Sequence, residues 1–177
     1  MISANASDSF DRILQHAVRS RLVMDAADHC NVARVSTETM ETDADIVTFT
    51  ISGLAFRLLL LLHLPARAQT RQYFVRDTAS VTPLEGFLEI GNLCCGAISQ
   101  ALSAHFPDLG MSTPYVLGAH CLSHVDALGP QMLATYAVVI NDGVQVGVTL
   151  AVCANGPLDF QAEVAAETES GGELELF

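Results

Sequence analysis

Glu89 and Asn92 stand three residues apart in a segment, Leu84 to about Phe106, whose apolar residues recur at helical spacing. On a helix that spacing makes their side chains neighbours on one face. One offers a negative charge, the other a carboxamide that both donates and accepts hydrogen bonds. Gly96, one turn further on, shares the face. A glycine inside an exposed helical stripe costs about 1 kcal/mol relative to alanine, so plain solvation does not favour it. A position without a side chain lets another backbone or a bulky group come close. Glu, Asn and Gly in adjacent turns therefore describe a flat docking surface with two projecting polar groups. On helix geometry alone an ordinary wet face accounts for the same stripe.

Other residues with reactive side chains lead to less. His120, Cys121 and His124 suggest a metal. On a strand the two histidines share a face but stand about 13 Å apart at roughly 3.3 Å per residue, and no second pair nearby completes a site. Cys94 and Cys95 fall on the apolar side of the long helix, where cysteine behaves as a small hydrophobe. Arg67, Arg71 and Arg76 surround a predicted short helix and can bind an anion or complement acidic neighbours. There is no GxGxxG, phosphate-loop or GxSxG motif, so the common nucleotide and hydrolase readings fall away.

The elements that must carry these residues can be read from pattern. Ser7, Asp8 or Ser9 caps a first helix from about Phe10 to Val32, with Phe10, Ile13, Leu14, Ala17 and Val18 on one stripe. The polar run 36–45 makes a turn, Ile46–Ile51 alternates as a half-buried strand, and Leu54–Leu64 forms a second strand. Pro65 opens a short helix to about Phe74. Thr82-Pro83-Leu84-Glu85 is a helix start with a cap, a proline at the first helical position and an acid placed for a capping box. Advancing about 100° per residue puts Leu84, Phe87, Leu88, Gly91, Cys94, Cys95, Ile98 and Leu102 on the core side of the helix that follows. Glu85, Glu89, Asn92, Gly96, Ser99 and Ser103 share the opposite side. Three strands come next, Tyr115–Leu122, Met132–Ile140 and Val144–Ala154, the last two joined by the hairpin turn Asn141-Asp142-Gly143. The order predicts an α/β (α+β) sandwich of an antiparallel-rich sheet with a long N-terminal and a long central helix, in one domain spanning 1–154. An acidic, mobile tail is expected over 155–177.

Composition narrows the function. The 177 residues are 50% hydrophobic and 16% charged, which suits a packed core. The net charge is −12 and the eight basic residues are all Arg, without a basic cluster for nucleic acid. Five cysteines with no CxxC spacing argue against a disulfide framework and for a cytoplasmic protein. The apolar run Leu54–Leu64 has eleven residues, against roughly 20 for a membrane helix, so no membrane association is expected.

Glu89-Ile90-Gly91-Asn92, with Gly96 four residues further and Pro114 opening the next strand, resembles the ExxN signature of the CheC/CheX/FliY class of chemotaxis phosphatases. The element order around it over roughly residues 10–154 is similar too. The resemblance implies a CheC-like sandwich and hydrolysis of the phospho-aspartate of a CheY-like response regulator, with Glu89 and Asn92 catalytic. Gly96, Glu85 and Ser99 would line the docking face, with Glu85 read first as a helix cap. The protein would need no metal or cofactor of its own, because the phosphorylated receiver supplies Mg2+. One ExxN helix per chain is similar to CheX and implies a homodimer. The alternative is a non-catalytic CheC-like module that binds a receiver or another signalling protein.

Overall fold

The computed structural model describes residues 1–75 and 81–163. Helix α1 (Ala4–Arg21) begins earlier than its apolar stripe suggests, because Ser3 caps it, its hydroxyl accepting from the Ala6 N–H at 3.0 Å. It also ends earlier. The Asp25 carboxylate accepts from the Ala27 N–H at 2.9 Å and the Asp25 carbonyl from the Asp28 N–H at 3.1 Å, so local turns replace the helix expected to continue to Val32. Residues Cys30–Val35 instead form strand β1. The polar run contains a single 3-10 turn, Thr37–Thr39. Strand β2 (Ala44–Ser52) and strand β3 (Phe56–Pro65) follow as a hairpin, with Leu54 exposed in the turn between them.

Helix α2 (Ala68–Tyr73) is short, and helix α3 (Pro83–Ser103) is the second long one. Beyond it come β4 (Gly110–Met111), β5 (Tyr115–Gly118), a 3-10 segment Ala119–Leu128, β6 (Met132–Ile140) and β7 (Val144–Ala154). The β6–β7 turn has Asn141 at φ 49° and Asp142 at φ 56°, two consecutive left-handed residues as a tight hairpin requires. Every pairing in the sheet is antiparallel, in the order β1-β6-β7-β3-β2, with β4 and β5 both on the outer edge of β2. The fold is the α+β sandwich expected.

The Leu58–Leu64 run, interrupted only by His63, is explained by cover on both sheet faces. Leu58, Leu60, Leu62 and Leu64 enter the main core with α1 and α3, while Leu61 turns to a smaller cluster under the 3-10 segment with Val125 and Ala151. The mobile tail expected from Asn155 requires correction. Leu158 and Ala162 are buried, and the Phe160 ring packs edge-on against Phe10 and Phe106, each at 5.1 Å. Apolar residues in the 155–163 stretch anchor it to α1 and to the turn after α3. The remainder of the tail, 164–177, lies outside the described residues.

Candidate functional site on helix α3

The start of α3 is the capping box read from sequence. Glu85 accepts the Thr82 backbone N–H and its hydroxyl, each at 2.8 Å, and the Thr82 hydroxyl accepts the Glu85 N–H at 3.3 Å. The Thr82 N–H and then its hydroxyl hold the Glu85 carboxyl below the ordinary carboxylate range. Glu85 is thus engaged as a cap, which fixes the helix start and leaves its carboxylate less free for a partner.

Three kinds of packing fix the helix itself. A methyl group on Gly86 would lie 1.9 Å from the Phe74 carbonyl oxygen, so only glycine lets α3 cross the end of α2 there. Gly91 lies against the sheet, where a Cβ would meet Leu62 at 2.8 Å and the Phe49 ring at 3.0 Å. Ala97 and Ala101 share a cleft with Ile13 and Ala17 of α1. Phe87, Ile90, Cys94, Cys95, Ile98 and Leu102 are buried in the core. Burial pushes the Cys95 thiol up to about 12 and Cys94 higher still, so both stay protonated and neither is a nucleophile. Leu84 and Leu88, expected in the core, are only half-buried at its margin.

The opposite face carries the predicted site. Glu89 and Asn92 are exposed one turn apart, and Gly96 sits between the polar and the half-buried positions with nothing within 4 Å of where its Cβ would stand. Ser99 is half-buried on the same side and Ser103 is exposed, its hydroxyl donating to the Gln100 carbonyl at 2.7 Å. Sequence reasoning missed Leu93, which is 49% exposed beside Asn92. Its place on the helical wheel, directly opposite Leu84, was the available signal. The surface is therefore a carboxylate, a carboxamide and an apolar knob arranged around a bare stretch of backbone.

The other candidates separate from it. The strand expected over Tyr115–Leu122 stops at Gly118, and His120, Cys121 and His124 lie on the 3-10 segment, which Gly129 closes in a left-handed conformation at φ 64°. Among the described residues no three His, Cys, Asp or Glu side chains gather to hold a metal ion. Arg67 pairs with Glu41 at 2.6 Å and Arg71 with Asp45 at 2.7 Å, the complement to acidic neighbours that the sequence offered. Arg76 lies outside the described residues. No helix among them is long and apolar enough to cross a membrane.

This architecture is the CheX/CheC-like fold. The chain is similar to the chemotaxis protein CheX from Vibrio vulnificus at TM-score 0.58 and 11% identity, over 81% of this chain and 99% of that one. It is similar to a chain of the CheX–CheY–BeF3–Mg2+ complex from Borrelia burgdorferi at TM-score 0.51 and 13% identity, over 82% and 96%. The FliM middle domain from Vibrio alginolyticus matches at TM-score 0.55 and 10% identity, over 83% and 92%. No protein-family model and no curated protein matches the sequence.

Proposed function

We propose that this protein acts in chemotaxis or two-component signalling as a phosphatase of a CheY-like response regulator. The observation that carries the reading is the exposed Glu89–Asn92 pair flanking the open Gly96 position on α3, in a CheX-like fold. Hydrolysis of an acyl phosphate asks for an aligned water and neutralised charge more than for covalent help. The Asn92 carboxamide accepts from the attacking water and donates toward the phosphoryl group, setting the water in line. Water adds to phosphorus, the bond to the aspartyl oxygen breaks, and inorganic phosphate leaves a restored carboxylate. Glu89 pairs with a lysine of the receiver. Since an exposed ion pair contributes only about 0–1 kcal/mol, Glu89 acts through the desolvation that docking brings. Among the described residues Glu89 is the one carboxylate free on this face, too few ligands for a divalent ion, and in this reading the Mg2+ comes with the receiver. The solved CheX–CheY–BeF3–Mg2+ assembly supports a partner of this kind.

A homodimer belongs to the same reading. Strand β5 on the sheet edge exposes Tyr115, Val116 and Leu117, a row that a second copy would cover. The protein is expected to work in the cytoplasm. Exposed Leu93 favours one second reading, a module that docks on a receiver without catalysing, because an apolar contact serves binding and not water activation. The test follows phosphate release from Mg2+-phosphorylated receivers of the source genome. Catalysis predicts acceleration that Asn92→Ala abolishes while binding persists; binding without acceleration by the unmodified protein establishes the module instead.

A further inference from the structure

The sheet face turned away from α1 and α3 holds a polar file that the α3 site does not use. Thr37 Oγ1 lies 2.7 Å from Thr135 Oγ1, which lies 3.0 Å from Thr149 Oγ1, which lies 3.1 Å from His63 Nε2. The file ends at the imidazole. His63 is 3% exposed, and its Nδ1 has no hydrogen-bond partner among the described residues. A buried ring nitrogen left this way loses its hydration for nothing in return. Its surroundings explain how it can persist. Toward β7 and β6 the cross-strand neighbours of His63 on that face are Gly147 and then Ala137, two residues with almost no side chain, while toward β2 its neighbour is Ile46. A Cβ at Gly147 would sit 2.7 Å from Nδ1 and 2.6 Å from the Met40 sulfur, so the nitrogen is closed in between bare backbone and the Met40 thioether. What the small residues leave is a cavity of about 250 Å³, walled by His63, Met40, Ala137 and Val139. Arg67 sits at its rim, paired with Glu41 at 2.6 Å and donating to Gln145 Oε1 at 2.7 Å.

We propose that this cavity binds a small, uncharged, largely apolar molecule carrying one hydrogen-bonding group, which meets His63 Nδ1 once the Met40 side chain, whose sulfur flanks the same point above Gly147, turns aside. The lining fixes the class. The cations and anions at the rim already neutralise each other, and burial depresses the imidazole to about 4, so it is neutral at physiological pH. A charged ligand would lose its hydration without gaining a counterion. The hydroxyls of the threonine file can rotate together, so Nδ1 can be presented as donor or acceptor. Met40 is unbranched and adjusts to the shape of what enters. The site lies across the sheet from Glu89 and Asn92 and does not depend on the phosphatase reading.

Phenol serves as the probe, with toluene as the matched shape lacking the hydroxyl. In 15N-labelled full-length protein, phenol should move the His63 ring-nitrogen resonances saturably and raise Tm, and toluene should bind at least tenfold more weakly. Intermolecular NOEs should run from the phenol ring to the Ala137 and Val139 methyls. Ala137→Leu should fill the cavity and remove the response, whereas Asn92→Ala should leave it intact. Three results overturn the proposal: no saturable response to phenol, toluene binding as tightly as phenol, or NOEs that place phenol elsewhere. The NOE measurement decides the matter in the unmodified protein should Ala137→Leu not fold.

Discussion

Gly96 should be a position where stability and partner binding move in opposite directions. In the free protein a methyl group at Gly96 meets nothing within 4 Å, and the residue lies well inside α3, fourteen positions after Thr82. Replacing it with alanine removes the conformational freedom of a mid-helix glycine without creating a clash, a gain of about 1 kcal/mol. For a domain of this length that raises Tm by about 2–4 °C. If a receiver lies on this face, the added side chain is forced into the tightest point of the interface. Overpacking of that kind costs about 1–3 kcal/mol, and roughly 1.4 kcal/mol is tenfold in affinity. Gly96→Ala should therefore melt higher and bind its receiver more weakly, and Gly96→Leu should bind at least tenfold more weakly with the fold intact. Thermal unfolding and titration of a fluorescent receiver held in a phosphorylation-mimicking state by beryllofluoride measure the two effects. A Gly96→Leu protein that binds and dephosphorylates the receiver as the unmodified protein does would refute the docking role. An alanine variant that melts lower would refute the open-face geometry itself.

Gly86→Ala should behave in the opposite way, because its methyl would lie 1.9 Å from the Phe74 carbonyl oxygen; a loss of about 2–3 kcal/mol in urea unfolding is expected, with α2 displaced. Thr82→Ala removes the hydroxyl half of the capping box, leaving the backbone N–H at 82 to Glu85, and should cost about 1 kcal/mol, read as a lower Tm with phosphate release still measurable. Leu93→Asp should weaken receiver docking by tenfold or more and leave Tm within about 2 °C, since the side chain is 49% exposed and outside the core. His63 gives a pH signature. Burial depresses its folded pKa to about 4 from an ordinary 6.5, so below pH 6.5 the unfolded chain takes up a proton that the folded one refuses, and stability falls as pH drops toward 4. Between pH 7 and 5 this group should remove about 2 kcal/mol, a slope that His63→Gln lacks; equal slopes in the two proteins would sink the assignment. Asp11, whose carboxyl is raised chiefly by burial, contributes with the opposite sign and cancels in the comparison.

Much of this was legible because the signals were local. The capping box at Thr82–Glu85, the Asn141-Asp142-Gly143 turn and the existence of strand β2 depend on residues close in sequence, and the structure reproduces each. The half-buried alternation expected of β2 is not seen, because both sheet faces are covered and Ile46 to Phe49 are all buried. The first helix ran too far because residues 22–32 keep enough helix formers to hide a break made by side-chain bonds, those of Asp25 and Asp28. The strand through Leu122 failed because apolar residues at 119–128 cover the second sheet face from a 3-10 segment, and one-dimensional pattern does not distinguish covering a sheet from joining it. The Glu89–Asn92–Gly96 face was legible from helix periodicity alone. The His63 cavity was not, since it depends on Gly147 and Ala137 becoming cross-strand neighbours of a histidine far away in sequence.

The three glycines of α3 are what turn a polar stripe into an argument. Gly86, Gly91 and Gly96 are five residues apart, so at about 100° per residue each points about 140° from the last and the three look in different directions. Gly86 looks at the end of α2 and Gly91 at the sheet, and at both a side chain would collide with atoms already present. Those two are explained by packing within the chain, and they bring α3 close enough to hold its outer face rigidly. Gly96 looks outward, meets nothing, and weakens the helix by about 1 kcal/mol with no return inside the molecule. A residue that costs stability and serves no internal contact is accounted for when the contact it serves is made by another protein. Glu89, Asn92 and Leu93, on either side of that bare patch, are the groups such a protein would meet first.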